Sequence, residues 1–291
     1  VTPNYQWDAS RRLAVGACDD DFESAKHNGD IQYRQARKLV EACGPGDRLS
    51  PEVRTSFRYV DYSAAAAAPE FGPGFVGATT GSATLGISMA RGTRDGPGPL
   101  FRLGGLTWFL NRAMALYQSV CAVLFGTQRM RLATPQGSKF PMIEPGRGAN
   151  SRVLGLFRQA LVPVPSVVDP TIARLRRLAR RGGLGERAWA PHVLPLQIVQ
   201  VGCLAIIAVP FEPTTVAARR IKALVLRVMA SSGVTHVVVS GYANTYCGYL
   251  TTHEEYRLQG YEGASTYMGQ WTLAATLTQL QEMAAVCVAP E

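Results

Sequence analysis

Two apolar runs near the end of the chain restrict its fold more than any other feature. Residues 194–201 (LPLQIVQV) and 204–209 (LAIIAV) are of strand length and rich in Ile, Leu and Val, with only Gly202 and Cys203 between them. Two such runs across a two-residue break containing glycine predict a β-hairpin. An amphipathic helix is predicted over 214–231 and a buried strand in THVVVS, residues 235–240. A closing helix is predicted over 264–288. Strands alternating with helices predict an α/β fold, a mixed sheet with flanking helices.

Upstream, organisation is looser. Residues 27–43 have helical spacing, with Ile31, Ala36, Leu39 and Val40 on one apolar side and arginines elsewhere. Residues 53–63 alternate as a strand does, and an apolar helix is predicted around 108–125. Between them, residues 64–104 are so rich in Ala, Gly, Pro and Thr that long helices are excluded. Asp169-Pro170 reads as a helix N-cap with proline at the first helical position, and Gly182-Gly183 as the stop. The short basic helix between them, TIARLRRLARR, presents either a solvated arginine face or a surface for anionic membrane.

Composition bounds the function. The chain has 291 residues, 47% of them hydrophobic, enough for a sizeable core. No window approaches the roughly 18 uninterrupted apolar residues of a membrane-spanning helix. A net charge of +9 favours anionic partners. Zinc-finger spacing, RNP-like aromatics and a helix-turn-helix pattern are missing, so nucleic acid is not expected. Six cysteines without a CxxC pair give no cysteine zinc site. The opening VTPNYQWDASRR has no initiator methionine and no signal-peptide pattern, so a processed or truncated product is expected.

The chemistry concentrates in residues 239–273, VSGYANTYCGYLTTHEEYRLQGYEGASTYMGQWTL, which hold six tyrosines, two adjacent glutamates and a histidine. A phenol can donate to a developing oxyanion, and carboxylate, imidazole or phenolate can bind metal. Following a strongly apolar strand, this stretch reads as one wall of an active site. Glu212, in PFEPTT between a predicted strand and helix, is either a functional carboxylate held on a rigid frame or a first-turn acid favoured by the helix dipole. Tyr246 either lines the site or is a packed aromatic. Glu254, Glu255 and Tyr256 open a helical turn, where acids are favoured without any catalytic duty. Of the histidines, His236 reads as a core or strand-end residue and His253 as solvated or supporting. His27 and His192 lack partners at ligand spacing.

With GCLAIIAVPFEPTTVAARR and the tyrosine-rich stretch in this order, the chain resembles the neutral ceramidases, the N-acylsphingosine amidohydrolases. The match is strongest over residues 194–275. Weaker matches lie in VTPN at the start and in ARGTRDGPG at residues 90–98. The resemblance implies zinc-dependent cleavage of the ceramide amide to sphingosine and a fatty acid. In the P-x-E-x-T-T pattern Glu212 is implied as a zinc ligand, and Tyr249, before T-T-x-E-E-Y, as another. Tyr261, before E-x-A-S-T, is implied as the oxyanion donor. Thr2 stands where the family has a catalytic serine. Threonine keeps the hydroxyl, but its β-methyl restricts χ1, so Thr2 either attacks the amide or positions it by a hydrogen bond.

The family's two histidine zinc ligands and an arginine near the oxyanion lie upstream of the VTPN loop. The resemblance therefore implies that residues 1–291 are the C-terminal portion of the catalytic domain, an incomplete one. The remaining ligands would come from an absent N-terminal part, and the family's C-terminal immunoglobulin-like domain is also expected to be absent. A secreted or membrane-associated protein is expected, inactive as this piece alone. The competing expectation is a non-catalytic protein of the same fold that binds lipid or anionic membrane.

Overall fold

The computed structural model describes residues 6–10, 13–44, 49–50, 52–72, 76–93, 97–124, 134–146, 151–154, 157–159, 174, 177–178, 181–183 and 188–288. The strands are β1 (Gln6–Asp8), β2 (Leu13–Val15), β3 (Val53–Asp61), β4 (Leu85–Gly86), β5 (Pro141–Glu144), β6 (Ser151–Val153), β7 (Phe157–Gln159), β8 (Val193–Val201), β9 (Leu204–Ala208), β10 (Glu212–Pro213), β11 (His236–Ser240) and β12 (Tyr249–Leu250). The helices are α1 (Asp21–Ala42), α2 (Gly104–Leu124), α3 (Thr215–Val228), α4 (His253–Leu258), α5 (Tyr261–Ala264) and α6 (Thr272–Val288).

The main sheet has the order β11-β9-β8-β3. The predicted hairpin is present: β8 and β9 pair antiparallel from Val201 opposite Leu204 to Gln197 opposite Ala208. From β9 the chain crosses through α3 and returns as β11, parallel to β9. β3 closes the other side, antiparallel to β8. The sheet is therefore mixed. Leu194, Leu196, Ile198, Ala205 and Ile207 alternate onto one face and are fully buried, as the two-residue strand period requires. α6 packs on β3, β8 and α3, and α3 on β11. Trp271, Phe211 and Tyr62 join this core, with Tyr62 edge-on to Phe211 at 5.2 Å and its hydroxyl bonded to Thr276 Oγ1 at 2.9 Å. Burial raises the Tyr62 phenol pKa above its ordinary range.

Several elements differ from the sequence reading. The strand expected to be buried, β11, is an edge strand. Among the described residues it pairs only with β9, and α3 covers one of its faces, so Val237 is buried while Val238 is 51% exposed. The closing helix expected from residue 264 begins only at Thr272, as α6, and residue 264 is the last of the short α5, because residues 265–271 turn away to make hydrogen bonds with residues 81–84 and 134–136. α1 starts earlier than residue 27, since Asp20 caps it by accepting from the amides of Phe22 and Glu23. None of its residues is buried, so its apolar stripe has no packing partner among the described residues. α2 confirms the apolar helix, yet Trp108 and Phe109 are exposed. Among the described residues of 64–104 no helix is longer than a 3-10 turn at Ile87–Arg91 before α2 begins, as their composition requires. A second antiparallel sheet, β4-β5-β6-β7, was not anticipated, because its strands are two to four residues long. No described helix is long and apolar enough to cross a membrane.

The hairpin turn depends on Gly202. Its φ of 55° is left-handed, and a Cβ there would lie 2.8 Å from the backbone nitrogen of Ser50. Gly202→Ala is expected to destabilise the protein by about 1 kcal/mol or more. The measurement is a urea titration, in which the midpoint should fall while the slope stays unchanged.

Candidate active site

β9 and β11 run parallel, so the segments leaving their carboxyl ends emerge on the same edge of the sheet. In open sheets with parallel strands this edge is where ligands bind. The first segment carries Val209 and Phe211, both fully buried, and then Glu212. The second runs from Gly241 through the tyrosine-rich turn and returns as β12. β10 and β12 pair in parallel, which sets Glu212 directly opposite Tyr249. The bonds that fix this register are Glu212 N to Gly248 O at 2.9 Å and Thr214 N to Leu250 O at 3.0 Å. Residues 37 apart in sequence are thus neighbours on a short backbone ladder, a more precise support than a loop.

Three phenols gather at this carboxylate, and a fourth packs against one of them. Tyr246 donates to Glu212 Oε2 at 3.2 Å, and Tyr242 stacks on Tyr246 with ring centroids 5.6 Å apart. Tyr249 lies edge-on to Tyr261, 5.7 Å between centroids. Burial first, then hydrogen bonding and charge from Glu212, pushes the Tyr242 phenol up to about 12. Burial and Glu212 likewise hold the Tyr246 and Tyr249 phenols well above their usual value. A second negative charge beside the carboxylate is opposed, so the phenols stay protonated and act as donors. An open cleft of about 430 Å³ adjoins the pair, lined by Glu212, Thr214, Tyr249, Glu255, Leu258 and Glu262 among others. Three carboxylates in a chain of net charge +9 make this cleft locally acidic.

The neighbouring acids have structural duties. Glu255 completes a capping box with Thr252 at the start of α4, accepting from Thr252 N at 2.8 Å. It also accepts from the hydroxyl of Thr214, the N-cap of α3, at 2.6 Å, so one carboxylate joins two helix starts. Glu254 pairs with Arg220 at 3.1 Å, and that contact lowers its pKa to about 2. Both side chains are largely exposed, so the pair adds little stability. Tyr256 is buried, its hydroxyl donating to Gln136 O at 2.8 Å.

The structure brings together Glu212, Tyr249, Tyr246 and Tyr261. Thr2 lies outside the described residues, as do the Asp169-Pro170 cap and most of the basic helix. Of that helix Arg174, Arg177 and Leu178 are described, helical and exposed. The turn at 90–98 closes through a bridge between Gly92 and Pro97, with Asp95 outside the described residues. His236 is an exposed strand-end residue. His253 is half-buried: its ring stacks on Trp271 at 4.6 Å, and burial lowers its pKa. His192 lines a separate cleft with Glu144 and Arg152, and His27 is exposed on α1. Among the described residues no group of three or more His, Cys, Asp or Glu is arranged to hold a metal ion. The adjacent carboxylate of Glu212 and phenol of Tyr249 supply two oxygen donors, chemically suited to a hard or borderline cation.

Sequence reasoning missed Tyr242. It holds a left-handed φ of 55°, rare for a bulky side chain and concentrated at functional sites. The signal was its place in the same stretch, four residues before Tyr246. Lys139 was missed as well, and a lone lysine in SKFP carries no signal at all.

Residues 118–278 match the family described as neutral/alkaline non-lysosomal ceramidase, N-terminal. The neutral ceramidase of Pseudomonas aeruginosa is 32% identical over 271 residues, covering 92% of this chain and 33% of that protein. Neutral ceramidase 2 of Arabidopsis thaliana is 30% identical over 282 residues, covering 92% of this chain and 31% of that protein. Two solved structures share the fold. A ceramidase complexed with C2 superposes with a TM-score of 0.60 at 31% identity, over 93% of this chain and 35% of that one. The crystal structure of the P. aeruginosa neutral ceramidase gives 0.55 at 25%, over 94% and 34%. The chain belongs to the neutral/alkaline non-lysosomal ceramidase family, a family of hydrolases. It spans about a third of the length of these relatives.

The phenol cluster can be titrated directly. In metal-free protein, absorbance at the tyrosinate band should show several tyrosines ionising well above the ordinary phenol value of about 10. Glu212→Gln should lower the transitions of Tyr242, Tyr246 and Tyr249, though not fully, since burial remains. These pKa values are raised on folding, so the associated stability is complete below pH of about 10 and is lost as pH climbs through the folded values. Unchanged titration in the variant would contradict the arrangement around Glu212.

Proposed function

We propose that this chain forms one wall of a ceramide amidase site, with Glu212 and Tyr249 as zinc ligands and Tyr261 as the oxyanion donor. The two remaining ligands are histidines from a segment outside residues 1–291, and the chain is the C-terminal portion of the catalytic domain. The single observation that carries this reading is the register that sets Glu212 opposite Tyr249 with Tyr261 against its ring. These residues come from three short elements, β10, β12 and α5, and the family resemblance names the same three residues. A protein that only binds lipid has no comparable need of a carboxylate among phenols.

A bound zinc ion supplies Lewis acidity toward the amide carbonyl and lowers the pKa of coordinated water. The chain's own residues orient and donate. Tyr246 holds Glu212 through a hydrogen bond to its Oε2 at 3.2 Å. Tyr261 donates its O–H to the oxygen that gains charge as the carbonyl becomes tetrahedral. Thr2 supplies the attacking hydroxyl or a hydrogen bond that positions the amide. The amide C–N bond then breaks as the proton of the attacking hydroxyl passes to the nitrogen, which departs as the amine of sphingosine. The acyl group leaves as a fatty acid, formed with water either directly or by hydrolysis of an ester on Thr2. Leu258, 83% exposed at the rim of the cleft, offers apolar surface to a lipid chain.

With residues 1–291 alone, neither stoichiometric zinc nor appreciable hydrolysis of an N-acylsphingosine is expected; turnover with bound zinc would refute the need for further ligands. In protein that includes the preceding segment, Glu212→Ala and Tyr249→Phe should lose metal and activity. Tyr261→Phe should keep zinc while kcat falls by about 10²-fold or more, as for loss of one oxyanion donor. Zinc content and turnover of the three variants together decide the assignment, and full activity in all three would overturn it.

A further inference from the structure

Lys139 is only 2% exposed and takes part in none of the described ion pairs. Its nitrogen donates to Thr84 O at 2.9 Å and Thr266 O at 2.6 Å, and lies 5.0 Å above the ring of Tyr256. Three donors thus meet two carbonyls and an aromatic face. The stem passes Gly86 so closely that a Cβ on Gly86 would lie 2.9 Å from Lys139 Cγ and 3.0 Å from Ala264 Cβ. The backbone from which the side chain reaches is anchored. Lys139 N donates to Gln136 O at 3.1 Å, and Phe140 is bonded to both Asn111 and Ile87.

What Lys139 grips is the support of the tyrosines. α5 has four residues, too few to be stable without tertiary contacts, and Tyr261 is its first. Thr266, just beyond the end of α5, bonds through its hydroxyl to Glu262 O at 2.9 Å and to the hydroxyl of Thr251 at 3.1 Å. The preceding Ser265 O accepts from Tyr249 N at 3.0 Å. The peptide at 265–266 is therefore a hub joining β12, which carries Tyr249, to α5, which carries Tyr261. Lys139 fastens that hub to β4 and to α4.

We infer that Lys139 is a positioning residue, a buried pin that holds Tyr249 and Tyr261 in register with each other and with Glu212. The inference rests on the proposed function for its catalytic meaning and on the hydrogen bonds alone for its geometry. A buried lysine with no described carboxylate beside it is costly to desolvate, and the two hydrogen bonds it donates offset part of that cost. Its value is directional, because two N–H bonds to two named carbonyls select one placement of the hub. Burial pulls the pKa of the amine well below its ordinary value, but even the neutral amine keeps the two N–H donors the carbonyls require.

The test uses Lys139→Met, with Gly86→Ala as a second variant that crowds the stem without removing the amine. Melting temperature, amide hydrogen exchange and fluorine NMR of 3-fluorotyrosine at positions 249 and 261 are compared with the parent. The pin predicts at most a modest fall in melting temperature for Lys139→Met, since removing the amine leaves two buried carbonyls without this donor. Exchange over residues 249–251 and 261–268 should quicken about tenfold or more, while β8 and β9 stay protected and the two fluorotyrosine signals broaden or shift. Gly86→Ala should give the same pattern, more weakly. In protein that hydrolyses an N-acylsphingosine, Lys139→Met should lower kcat about tenfold or more with KM nearly unchanged.

Unaltered exchange and fluorine signals in a folded Lys139→Met would overturn the inference. So would loss of protection spread evenly over the sheet. Should Lys139→Met fail to fold, Gly86→Ala decides by the same two outcomes. A parent protein without amidase activity would count against the proposed function only, since exchange and fluorine NMR still judge the pin.

Discussion

One-sided burial of the main sheet is the constraint on which everything else hangs. Leu194, Leu196, Ile198, Ala205 and Ile207 face α3 and α6, and their removal from water fixes which way each strand is turned. A slip of one residue in β8 or β9 would send this whole set to the other face. Because β9 and β11 are parallel neighbours, their ends then project to the same edge, and the two site-bearing segments have no choice but to meet there.

The site is a second, smaller layer built on that edge. The hydrogen-bonded ladder between β10 and β12 is only two residues long on each side, so it draws its order from what flanks it. Phe211 is locked in the core on one side of Glu212, and Thr214 is tied to Glu255 on the other. Behind Tyr249, the hub at 265–266 is pinned by Lys139. Acids that look catalytic in the sequence divide by partner. Glu255 is committed to helix caps and Glu254 to Arg220, whereas Glu212 is held by a phenol and faces an open cleft.

The hairpin, the crossover helix α3 and the strand at residues 53–61 were legible because local periodicity and turn chemistry specify them. The tyrosine-rich stretch was legible as a site wall for a different reason, the density of reactive groups. Tyr242 was not singled out, since only the left-handed turn and the stack on Tyr246 bring it to Glu212. The exposure of β11 was hidden too, because an apolar run reads the same at the centre of a sheet and at its margin.

The amino-acid sequence by itself determined the class of fold, the short-range elements and the residue types able to do amide chemistry. Each of these follows from spacing within a few residues. Tertiary structure alone decided that Glu212 faces Tyr249, that Tyr261 meets Tyr249 ring to ring, and that a lysine more than a hundred residues away secures both. Such contacts join segments through long loops, and their partners are chosen by shape, burial and the need to satisfy every buried polar group. None of those is written in the spacing of a single segment.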